Sequence, residues 1–223
     1  MDLRHLNLSP PADEAVAGAP GAAPNRSALA ALRRFVRPRP ARQRCELCSA
    51  DLADEHQHLF APADRQLACA CQACAILFSG GKTGRYRLVP RRGQLWPDFQ
   101  MNDADWEALN IPINLAFFTE STAAGRVAAY YPSPAGATES ALSTESWKQL
   151  LDMNPPLREL QPDVEALLVN RVGPAREYYR APIDQCYRLV GLIRANWRGL
   201  SGGTEVWRSI AGFFAELKEK SGR

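Results

Sequence analysis

Apolar residues recur most regularly towards the carboxyl end of the chain. Cys186, Leu189, Val190, Ile193 and Trp197 follow one another at steps of three and four, as do Val206, Trp207, Ile210, Phe213, Phe214 and Leu217. Such spacing puts each set on one face of a helix and predicts two amphipathic helices. Asp184 is placed to cap the first, Thr204 precedes the second, and Leu200-Ser201-Gly202-Gly203 breaks the chain between them. Cys186 falls on the apolar stripe and reads as packing.

Further upstream the runs are shorter. Segments 113–120 and 126–131 are apolar and aromatic, joined by a short loop containing Gly125, and predict an antiparallel hairpin. Segments 165–172 and 176–181 predict a second strand pair around Gly173-Pro174. A short helix capped by Asn102 or Asp103 is expected through Leu109, and another from Thr144 to near Met153, stopped by Pro155 and Pro156. Segment 132–138 reads as a rigid, turn-rich loop. The expected fold class is α+β: a small metal module followed by an antiparallel sheet with helices on one face. Residues 1–40 are assigned to a disordered tail and basic linker, 41–92 to the module and 93–223 to the α+β domain. Within the tail, residues 1–26 are rich in alanine, proline and glycine, Ser27 is placed to cap a short helix, and six arginines lie from Arg33 to Arg44.

The chemistry of the chain gathers in residues 44–78. Cys45 and Cys48 form one C-x-x-C, Cys71 and Cys74 a second, and twenty-two residues separate them. That spacing is typical of a zinc ribbon, in which two tight turns each present two thiolates and an intervening hairpin brings the turns together. The expected ligands are Cys45, Cys48, Cys71 and Cys74, and the expected ion is zinc, with iron as the alternative. Cys69 is one thiol too many; it is expected to point away from the ion and to be a spare. His56 and His58 lie in the hairpin and are read as hairpin side chains. Cys69, His56 and His58 are the possible alternative ligands.

Composition changes this picture little. A chain of 223 residues with 46% hydrophobic and 23% charged residues is ordinary globular material, and a net charge of +3 gives little field for steering onto nucleic acid. Thiols kept in C-x-x-C pairs point to the cytoplasm. No apolar run approaches the roughly eighteen residues of a membrane span. Arg33-Arg34 fails as a twin-arginine export signal because Arg37, Pro38, Arg39 and Pro40 follow where an apolar region should begin. Gly81-Lys82-Thr83 lacks the upstream glycine and following helix of a phosphate-binding loop, and reads as a hairpin turn.

No hydrolase, zinc-protease or dinucleotide-binding motif is present, and His5 is the one histidine outside the metal region. Acid–base work would fall to Glu139, Asp163, Glu165 or Asp184, so the sequence favours a binding protein over an enzyme and assigns no catalytic residue. The candidate binding surface is a set of polar loop and helix-end residues: Ser133, Thr138 and Glu139; Asn170 and Arg171; and Arg194, Trp197 and Arg198.

Cys45-Glu46-Leu47-Cys48, Cys69-Ala70-Cys71, Tyr86-Arg87-Leu88-Val89-Pro90, the run from Tyr131 to Ser140 and Trp197-Arg198-Gly199-Leu200-Ser201-Gly202-Gly203 carry a resemblance across most of the chain. With these motifs it resembles a bacterial family of unknown function whose genes lie beside those of uptake [NiFe] hydrogenases. The resemblance implies a part in assembling, maturing or supporting such an enzyme. Three functions compete: a zinc-ribbon accessory protein docking on a hydrogenase subunit or assembly factor, a rubredoxin-like iron electron carrier, and a nucleic-acid-binding ribbon using the arginine arm. The weak net charge argues against the last.

Overall fold

The computed structural model describes residues 43–80, 84–199 and 202–221, which belong to one compact unit. The expected tail, its Ser27 helix and most of the arginine linker lie outside the described residues, as do Gly81-Lys82-Thr83 and Leu200-Ser201.

Two antiparallel sheets organise these residues. The smaller is built on the hairpin of β1 (Gln57–Ala61) and β2 (Gln66–Ala70), with β3 (Arg87–Leu88) on the other side of β1. A seven-residue helix, α1 (Gln72–Phe78), follows β2 directly. The larger sheet contains β4 (Gln94–Leu95), β5 (Leu115–Ser121), β6 (Arg126–Ser133), β7 (Gly136–Ser140), β8 (Glu165–Asn170) and β9 (Glu177–Pro182). Its strand order is β4-β9-β8-β5-β6-β7. The helices are α2 (Asp103–Ala108), α3 (Thr144–Met153), α4 (Ile183–Asn196) and α5 (Gly203–Ser221), and a 3-10 turn spans Pro155–Glu159.

The α+β class and the antiparallel sheet stand as expected, but the helices cover both faces of it. Leu115, Phe117, Ala166, Leu168, Tyr179 and Ala181 form a core with α4 and α5, whereas Ala116, Phe118, Leu167, Val169 and Tyr178 form another with α2, α3 and the 3-10 turn. Alternate residues of β5 and β8 thus face two different cores, and every residue of β8 is buried. A strand buried on both faces loses the apolar–polar alternation from which a one-sided sheet is recognised.

Two local expectations need correction. Segment 132–138 is mostly sheet: Pro132 pairs with Ala137 and Ser133 with Gly136, so the chain turns at Pro134-Ala135. Gly136, at φ 131°, supplies the backbone conformation that a tight reversal needs. Asp184 does not cap α4; the residue at the cap is Pro182, which has no side-chain bond to give, and Asp184 stands in the first turn. The helix expected from Thr144 to Met153 is present as α3, and Ser143 caps it by accepting from the Ser146 amide. Asn102 does cap α2, in a reciprocal box with Asp105.

The small sheet packs onto the α4–α5 side of the large one. Phe60 and Val89 are part of that core, the Phe60 ring stacks on Tyr187 at 6.3 Å, and Arg65 donates to the Tyr130 hydroxyl at 3.2 Å. Burying the Phe60 ring alone contributes about 2 kcal/mol to this docking.

Candidate metal centre

Each knuckle is a short turn whose shape follows from its hydrogen bonds. In the first, the Ser49 amide donates to the Cys45 carbonyl at 2.7 Å and the Cys45 amide to that of Ala50 at 2.8 Å. Ser49 takes φ 62°, the left-handed conformation that a knuckle usually gives to glycine. In the second, Cys71 is the N-cap of α1, and its sulfur accepts from the Cys74 amide. Two hydrogen bonds tie the first turn to the end of β2: the Glu46 amide donates to the Cys69 carbonyl at 2.9 Å, and the Glu46 carboxylate accepts from the Cys69 amide at 2.8 Å.

The sulfurs of Cys45, Cys48, Cys71 and Cys74 all lie within 4.8 Å of one another, so the four-cysteine cluster could hold a metal ion. The Cys48–Cys71 separation is 3.7 Å. Four thiolates about 2.3 Å from a zinc ion stand about 3.8 Å apart along the edges of a tetrahedron, so this pair already has the spacing of a filled site. All four are free thiols; Cys45 and Cys74 are buried and Cys48 is exposed, so one side of the cluster meets solvent.

The thiols differ in acidity. Burial pushes Cys45 up, but the backbone amides of Cys71, Leu47 and Cys48 outweigh it and bring the thiol down to about 6. Burial and the neighbouring Cys48 and Cys71 sulfurs push Cys74 up to about 12.

Cys69, His56 and His58 do not join this cluster. They form a second group whose ligand atoms also lie within 4.8 Å of one another. Residues two apart on a strand share a face, so alternation does not separate Cys69 from Cys71. The separation arises because β2 ends at Ala70 and Cys71 turns into α1. The signal was present in the sequence: His56 and His58 are two apart, and the hairpin register sets His58 opposite Cys69.

The remaining candidates do not gather. Thr138 and Ser133 bond each other at 3.0 Å across the β6–β7 hairpin, and Glu139 beside them pairs with Arg126 and with Arg65. Asn170 and Arg171 are buried. The Arg171 guanidinium is spent on the Tyr178 hydroxyl at 2.9 Å, on Asp103 and over the Trp106 ring, while Asn170 bonds Glu177. Arg194 is exposed near the end of α4, Trp197 bonds the Gly199 carbonyl, and Arg198 bonds the Ala195 and Trp197 carbonyls. Of the carboxylates considered for acid–base work, Glu165 is buried against Arg180 at 2.7 Å and Asp163 accepts from Thr122. Both serve the fold.

One feature went unread in the sequence. Ile76, Leu77 and Phe78 are 66%, 73% and 47% exposed at the end of α1, immediately after the second knuckle. Three consecutive large apolar residues turned to solvent are uncommon.

A family model described as a family of unknown function (DUF5947) matches residues 44–221, and the chain belongs to that family. No curated protein matches the chain, and no solved structure does. No helix among the described residues is long and apolar enough to cross a membrane.

Proposed function

We propose that this member of DUF5947 is a zinc-binding accessory protein that acts by docking onto another protein. The observation that carries this reading is the convergence of Cys45, Cys48, Cys71 and Cys74 into one tetrahedral-sized cluster. A closed four-thiolate shell leaves no position for substrate, so its ion serves structure: it holds the two knuckles and α1 in place. The exposed Ile76-Leu77-Phe78 run on that helix is then the contact that the ion keeps rigid.

The occupant implied by the resemblance is a [NiFe] hydrogenase subunit or an assembly factor for that enzyme, in the cytoplasm, where thiols stay reduced. Purified protein is expected to carry zinc in the four-cysteine site and to be colourless. Leu77→Asp is expected to keep that zinc yet fail to co-purify with the hydrogenase subunit, and loss of the gene is expected to lower hydrogenase activity. Iron in the thiolate site, with its colour, would favour the electron carrier, because ligand type alone suits both metals. Tight, salt-sensitive binding to DNA or RNA, with hydrogenase unaffected, would favour the nucleic-acid reading.

A further inference from the structure

The β1–β2 hairpin carries a second set of ligands. His56 and His58 lie two residues apart, His58 pairs with Cys69 across the ladder, and the two imidazole rings stand edge to face at 4.8 Å. Each ring has one nitrogen already engaged. His56 Nδ1 donates to the Ala53 carbonyl at 3.0 Å, and His58 Nδ1 donates to the Asp184 carboxylate at 2.8 Å. An oxygen that only accepts fixes the proton on Nδ1 and leaves Nε2 of both rings with its lone pair.

His56 Nε2 is buried and has no hydrogen-bond partner among the described residues. A buried nitrogen lone pair without a donor is a cost to the fold that a bound cation would remove. Metal-ligating histidines almost always give their other nitrogen to a carboxylate or carbonyl, which orients the ring and raises its basicity. Both rings here have that partner, one of each kind.

We propose that His56, His58 and Cys69 form a second metal site, distinct from the four-cysteine one. It takes a late first-row divalent cation such as Zn²⁺ through His56 Nε2, His58 Nε2 and Cys69 Sγ, with Asp184 as the positioning residue. One ring nitrogen of each histidine and the Cys69 sulfur lie within 4.8 Å of one another, close enough for side-chain rotation to bring all three groups onto one ion. Two nitrogens and one sulfur suit zinc, cobalt and copper better than calcium or magnesium. Three protein ligands leave a fourth position for water or an incoming group, which the closed four-thiolate site lacks. Both histidines and Asp184 also border a cleft of about 500 Å³ between the hairpin and helices α4 and α5, which gives solvent access to this side of the hairpin.

The test is metal stoichiometry on the full chain, titrated with Zn²⁺ and separately with Co²⁺. Two ions per chain are expected for the wild type, and one for Cys69→Ser and for the His56→Gln/His58→Gln double variant. The ion kept by those variants is expected to show cobalt–thiolate absorption of a four-sulfur site. The ion they lose contributes the weaker band of a single thiolate. Asp184→Asn lies outside the hairpin and is expected to weaken only the second ion, by about 10- to 100-fold. Saturation of the wild type at one ion, or a second ion that survives the double histidine variant or is unaffected by Asp184→Asn, would overturn the proposal. These outcomes are separate from failure of the four-cysteine reading, which would show as loss of the four-sulfur spectrum.

Discussion

His58 on β1 and Asp184 in the first turn of α4 are 126 residues apart in sequence and meet at 2.8 Å. The contact does two things. It ties the metal-bearing hairpin to the helix that lines the core of the large sheet, and it fixes which imidazole nitrogen is free. The Asp184 carboxylate also accepts from the Gln185 amide at 2.8 Å, so it is held from its own side before His58 arrives. A cap for α4 would have been a local role for this residue; the one it has is long-range.

The four-cysteine ion should be lost when one of its ligands is removed. Cys48→Ser and Cys71→Ser are expected to release it and unfold the knuckles, because binding of the metal supplies most of the folding energy of so small a unit. Cys69→Ser is expected to leave that ion in place. Cobalt–thiolate absorption and near-ultraviolet circular dichroism of the three variants check this, and loss of the four-sulfur spectrum in Cys69→Ser as in Cys71→Ser would contradict the ligand set.

Uptake of that ion should release protons and strengthen with pH. Cys74, pushed up to about 12, is protonated at neutral pH in the absence of metal and must lose that proton to bind. Cys45, down at about 6, is already a thiolate there, but becomes a second proton to displace once the pH falls below that value. The apparent affinity should therefore fall on acidification, and more steeply below about pH 6. Zinc competition with a chromophoric chelator across this range measures the slope.

Asn154 should be among the costliest polar residues to remove. It is buried, its side-chain oxygen accepts from the Gln100 amide at 2.7 Å, and its side-chain nitrogen donates to the Gln100 carbonyl at 2.8 Å and the Leu150 carbonyl at 3.1 Å. Asn154→Ala leaves the Gln100 amide and carbonyl without these partners, and is expected to destabilise by about 2–4 kcal/mol. Denaturant unfolding reads the change in midpoint.

Gly202 should not tolerate a side chain. It sits at φ 86°, and a Cβ there would lie 2.7 Å from a Val206 methyl and 3.2 Å from the Trp197 ring. The backbone strain and the clash act together, so Gly202→Ala is expected to cost about 2 kcal/mol or more. Thermal unfolding checks it, with Gly212→Ala, in open space on α5, as the control expected to be neutral or stabilising.

Glu216 ties α5 to α4 and should make that contact acid-sensitive. Its hydrogen bonds to Arg188 and then Lys220 bring its carboxyl from 4.5 down to about 2. A carboxyl lowered on folding contributes stability above its unfolded value and loses it as the pH falls through the folded one. The stability difference between wild type and Glu216→Gln should therefore be constant above pH 5 and shrink between about 4.5 and 2. Urea unfolding at several pH values follows it.

The local signals in this chain were legible because they depend on near neighbours. The two C-x-x-C pairs, the Asn102 cap, the three- and four-residue steps of α4 and α5, and the hairpin around Gly125 can each be read from a window of a few residues. The faces of the sheet could not be read this way. The four central residues of β8, Ala166 to Val169, are apolar whether one core or two cover them, and only the packing of α3 beyond the strand decides. Arg171 looked like an exposed loop cation because nothing nearby announces Asp103, 68 residues away, as its partner. The division of thiols and imidazoles into two ligand sets lies between these extremes. Residue types and spacings place all seven groups in one hairpin region, but which sulfur meets which nitrogen depends on where β2 ends and α1 begins. The orientation of the His58 ring depends on Asp184, brought to it by packing of α4 against the large sheet. Contacts between distant segments have no sequence period, so only the folded chain could decide them.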